Sequence, residues 1–111
     1  MADKPWKQFE RDIGKLVGGT RFWANSGESV DCEGPVFIAQ CKHVRTMSLN
    51  AIVNLAQEIE EDGKCHRKDT GEPDPKMGIV ALKTRPGQGK KSETIIVMTS
   101  RVFQQLYPTG G

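Results

Sequence analysis

The run Phe37-Ile38-Ala39-Gln40-Cys41-Lys42 decides how this chain folds, because an apolar strand seldom ends by pushing two polar side chains onto one face. Side chains alternate along a strand, so Gln40 and Lys42 point the same way, about 6–7 Å apart. An acidic residue, Asp31, lies a short loop upstream in Ser26-Gly27-Glu28-Ser29-Val30-Asp31, and Glu10 sits on a preceding amphipathic segment. Carboxylates next to an amide oxygen and a lysine form a set able to hold a hard divalent cation beside a cationic group.

The rest of the chain supplies elements around that strand. Residues 5–17 are predicted as a helix, with Pro5 in its first turn, Gly18-Gly19 ending it, and Trp6, Phe9, Ile13, Leu16 and Val17 as its apolar stripe. Glu10 falls at the margin of that stripe, where a carboxylate borders the core. Short strands are expected at 20–24, 30–32 and 36–42, the last two joined through Glu33-Gly34-Pro35. Ser48 caps a second helix to residue 62, with Gly63 as its stop, and residues 63–76 read as a mobile loop. Two nearly continuous apolar runs, 77–83 and 93–98, read as buried central strands, and Thr99 or Ser100 caps a last helix to residue 106.

A chain of 111 residues suits one domain, residues 1–111, with a single core. The net charge of +2 is too small to argue nucleic-acid binding by itself, so distribution has to carry that argument. Lys83, Arg85, Lys90 and Lys91 gather around a Gly/Pro-rich connection, while Glu58, Glu60, Glu61 and Asp62 make one helix acidic. The absence of a long apolar run or apolar leader points away from a membrane and towards the cytoplasm. Three cysteines without a CxxC pair fit reduced thiols, and Cys32, Cys41, Cys65 and His66 match no zinc-ligand spacing. Ser26 has no base partner in local sequence, and Gly87-Gln88-Gly89-Lys90 lacks the phosphate-loop pattern.

The order of helix-borne Glu10, Gly18-Gly19-Thr20-Arg21, Ser26-Gly27, Asp31 and Gln40-x-Lys42 resembles the PD-(D/E)XK nuclease superfamily, and within it small Holliday junction resolvases and their phage-type relatives. The likeness spans residues 6–107 and implies one restriction-endonuclease-like α/β domain, a mixed central sheet flanked by helices in the order αβββαββα. It further implies a metal-dependent endodeoxyribonuclease using Mg2+, with Mn2+ as substitute, on branched DNA and as a homodimer. Under this resemblance Glu10, Asp31, Gln40 and Lys42 form the catalytic set, and Glu10, Asp31, Gln40 and Cys41 hold the metal. Arg21, Ser26, His43, Lys83, Arg85, Lys90 and Lys91 would then face DNA. Gln40 departs from the commoner acidic residue at its position. Two other readings therefore stay open, a nicking or restriction-type nuclease of the same fold and a non-catalytic DNA-binding module.

Overall fold

The computed structural model describes residues 5–21, 31–68, 70–84 and 91–107, with residues 5, 6, 20 and 21 described by backbone alone. Its elements are α1 (Pro5–Leu16), β1 (Thr20–Arg21), β2 (Cys32–Glu33), β3 (Phe37–Val44), α2 (Leu49–Lys64), β4 (Met77–Thr84), β5 (Thr94–Val97) and α3 (Ser100–Leu106). They form an α/β domain around one mixed sheet in the order β1-β2-β3-β4-β5. The strands β1 to β3 run antiparallel, β3 and β4 are parallel, and β5 is antiparallel to β4. Parallel neighbours need a crossover, and α2 supplies it.

Local chemistry sets the helix ends. Gly18 adopts φ +77°, and the Gly19 and Gly18 N–H groups donate to Gly14 O and Lys15 O at 2.8 and 3.1 Å, closing α1 with a left-handed cap. Ser48 accepts from Ala51 N at 3.2 Å to start α2, and Thr99 accepts from Val102 N at 3.3 Å to start α3.

The sheet separates two apolar clusters. Phe9 and Ile13 of α1 and Val17 just after it, with Val102 of α3, pack on Cys32, Ala39, Ile79 and Ala81. On the opposite face Ile59 of α2 packs on Ile38, Val80 and Leu82, with Ile52 and Leu55 beside them. Successive residues of β3 thus belong alternately to the α1 face and the α2 face.

Three local expectations give way. Gly63 lies inside α2 instead of ending it, because a Cβ there would meet Lys76 O at 2.2 Å, so the glycine serves the close approach of the helix to the chain entering β4. The segment after α2 is tied by hydrogen bonds from Lys68 N to Glu72 O and from Asp74 N to His66 O, both 2.9 Å, around an Arg67–Pro73 bridge. And β5 is an edge strand, not a central one, with Ile95 45% and Ile96 37% exposed.

One ion pair joins α2 to α3. Arg101 donates to both oxygens of buried Glu60 at 2.7 and 2.9 Å, while Lys64 lies 3.9 Å away. The Arg101 hydrogen bonds hold the Glu60 carboxyl below its ordinary value of 4.5 against the opposing effect of burial. A depressed folded-state value gives stability that is present above the ordinary value and lost as pH falls through the depressed one. Arg101→Gln is therefore expected to be less stable than the parent at neutral pH, with the gap closing in acid below pH 4.5. Urea unfolding at several pH values measures this, and a gap independent of pH would contradict it.

Candidate functional site

The β2–β3 junction places Asp31. Cys32 pairs with Ala39 and Glu33 with Ile38, yet the Asp31 N–H also donates to Ala39 O at 2.9 Å. Two consecutive residues thus address the same carbonyl, a one-residue slip of the kind found in β-bulges, which re-aims a side chain where pairing ends. Asp31 Oδ2 then accepts the Cys41 N–H at 2.8 Å, taking the position that a further β2 carbonyl would have filled. In an antiparallel ladder the N–H and C=O of a paired residue point to the same neighbour, so the Cys41 carbonyl is directed to the same side of β3 as Asp31.

Glu10 reaches the neighbourhood from α1. The Cys32 thiol donates to Glu10 O at 3.1 Å, and the Cys32 and Cys41 sulfurs are 4.0 Å apart. The Cys41 thiol is pushed far above the ordinary cysteine value, first by its hydrogen bond to Cys32, then by burial, and then by the charges of Cys32, Asp31 and Glu10. Asp31 is thus bonded to β3 through Cys41, and the α1 backbone at Glu10 meets the neighbouring Cys32 thiol. The Cys41 thiol itself stays protonated and is a poor nucleophile or soft-metal ligand.

Gln40 and Lys42 share a face, as alternation requires, but it is the α2 face. Their register partners, Val80 and Leu82, both belong to the cluster under α2. The sheet thereby divides the grouped residues, with Glu10 on the α1 side, Gln40 and Lys42 on the other, and Asp31 at the edge between. Gln40 is only 8% exposed, and its Oε1 has no hydrogen-bond partner among the described residues. A buried acceptor left in that state costs about 1–3 kcal/mol. Lys42 is half-buried, and among the described residues its amine has no hydrogen-bond or ion-pair partner.

The candidate DNA contacts are only partly described. His43 and its register partner Lys83 lie on the α1 side, where the His43 ring is 6.4 Å from the Phe9 ring and Lys83 Nζ is 5.7 Å from the same ring's centre. Lys91 is exposed. Ser26, Arg85 and Lys90 lie outside the described residues, as does the Arg21 side chain. Cys32 and Cys41 sit on the α1 side, whereas His66 contacts Glu33, the register partner of Ile38, so the imagined four-ligand zinc set is not assembled.

Sequence reasoning missed one cluster, Glu33, His66 and Asp74, whose ligand atoms lie within 4.8 Å of one another. Its members are far apart in sequence and follow no ligand spacing. No described helix is long and apolar enough to cross a membrane. No protein-family model, curated protein or solved structure matches the chain.

Proposed function

We propose that this chain is a metal-dependent DNA endonuclease of the PD-(D/E)XK type, cutting branched DNA as a homodimer. The observation that carries the reading is the Asp31 carboxylate held by the Cys41 N–H where β2 stops, next to the strand that carries Gln40 and Lys42. The element order α1-β1-β2-β3-α2-β4-β5-α3 is also the order the resemblance implies. Asp31 and the Cys41 carbonyl, with Glu10 from the α1 side, offer hard oxygen donors of the kind magnesium prefers, while the orphaned Gln40 Oε1 lies on the α2 side of the same strand. Magnesium held there would lower the pKa of a bound water and neutralise charge on the scissile phosphate.

The chain's own groups do the rest. The Cys41 N–H fixes the orientation of the Asp31 carboxylate, so the donor needs no rearrangement before it acts. Lys42 supplies an uncommitted amine on the strand that carries Gln40, able to stabilise transition-state charge or orient the attacking water. Lys83 contributes positive charge and His43 a ring nitrogen towards phosphate, without sequence readout.

The sheet's separation of Gln40 and Lys42 from Glu10 favours a second reading, a DNA-binding module of this fold without catalysis. Calorimetric titration with magnesium or manganese distinguishes the two. Gln40→Glu adds a carboxylate to the strand whose Cys41 N–H holds Asp31 and is expected to tighten metal binding, whereas Glu10→Gln is expected to weaken it. Equal affinity in the parent and both variants would leave the non-catalytic reading in place.

A further inference from the structure

Glu33, His66 and Asp74 come from β2, the turn after α2 and the connection into β4, three separate parts of the fold. We propose that they form a second divalent-metal site, selective for zinc over magnesium and independent of whether the chain cuts DNA. The donor set is one imidazole nitrogen and two carboxylate oxygens, which suits tetrahedral zinc with water as the fourth ligand. Magnesium, which favours oxygen donors and octahedral geometry, is poorly served by a buried imidazole.

The backbone already holds these ligands together. His66 O accepts the Asp74 N–H at 2.9 Å, and the Arg67–Pro73 bridge closes the loop between them. The His66 side chain is 7% exposed, and its Nε2 contacts a Glu33 oxygen. Glu33 and Asp74 remain partly open to solvent, which leaves an entry path. Lys76 Nζ lies 3.3 Å from Asp74 Oδ2 and 3.2 Å from Pro35 O, so one ammonium stands against two carboxylates. A cation would take the remaining negative charge and share Asp74 with Lys76.

The consequence reaches the candidate nuclease edge. β2 has only two residues, Cys32 and Glu33, and Asp31 immediately precedes it. Zinc on Glu33 would staple this short strand to the end of α2 and the approach to β4, steadying the backbone that aims Asp31.

The test uses the full chain carrying Asp31→Asn, so that the edge centre does not contribute, after removal of metals by a chelator. Cobalt(II) is titrated as a spectroscopic probe for zinc. A single equivalent is expected to bind with the visible absorption of tetrahedral coordination, to be displaced by zinc, and to resist excess magnesium. Asp74→Asn and Glu33→Gln, which keep side-chain shape, are each expected to weaken binding about tenfold or more. Absence of the cobalt spectrum, or affinity unchanged in both variants, would overturn the site and return the cluster to a hydrogen-bonded network. His66→Gln adds a third arm, and if it fails to fold the two carboxylate variants still decide the outcome.

Discussion

Asp31→Asn is expected to lower metal-dependent DNA cleavage by roughly 10³-fold or more, since metal stabilisation of the transition state is worth several kcal/mol and each 1.4 kcal/mol is about tenfold in rate. The substitution removes the charge that holds the cation and keeps the shape of the side chain. Its amide oxygen can still accept the Cys41 N–H, the bond that fixes Asp31 at the β2–β3 junction. Thermal stability and DNA binding without metal should therefore stay near those of the parent. Single-turnover cleavage at saturating magnesium, paired with a melting curve, makes the comparison. Equal rates in the two proteins would remove Asp31 from the reaction, and a collapse in stability would mean that it serves the fold instead.

A large loss of stability is expected from a side chain at Gly78. A Cβ built there would lie 2.0 Å from Ile59 O and 2.9 Å from Glu60 N, both backbone atoms that cannot swing aside. Gly78→Ala must push α2 away from β4, opening the cluster of Ile38, Ile59, Val80 and Leu82 and disturbing the Glu60–Arg101 pair. A loss of about 3 kcal/mol or more is expected from such overpacking, and for a domain near this size that lowers the melting midpoint by roughly 12–24 °C. Gly71→Ala is the contrasting control. Gly71 has φ +88° and nothing within 4 Å of an added Cβ, so only the backbone conformation opposes the change, at about 1–2 kcal/mol. Urea unfolding of both variants checks the ranking, and equal losses would contradict the close approach of α2 to β4.

The order of elements is legible because each carries its own period. Ile52, Ala56 and Ile59 recur at helical spacing, the run from Met77 is nearly continuous in apolar residues, and Ser48 marks a helix start. What escapes such reading depends on tertiary contacts. Gly63 looks like a stop signal, yet the backbone of Lys76 packs against it and α2 continues. Ile95, Ile96 and Val97 are apolar on both faces, but nothing in that pattern says that among the described strands β4 alone pairs with them. At the candidate site the alternation of Gln40 and Lys42 is legible, whereas the face they choose depends on which helix packs there. The slip at Asp31 is also invisible to a period of two, since one extra residue re-aims the side chain without any change in composition.

The most direct measurement is cleavage by the purified parent protein of matched four-way junction, flap, linear duplex and single-stranded DNA, with and without magnesium. The expected result is strand cleavage that needs magnesium, favours the branched substrates and is lost in Asp31→Asn. DNA binding without cleavage of any substrate, in magnesium or manganese, would contradict the nuclease assignment and leave a DNA-binding module of the same architecture.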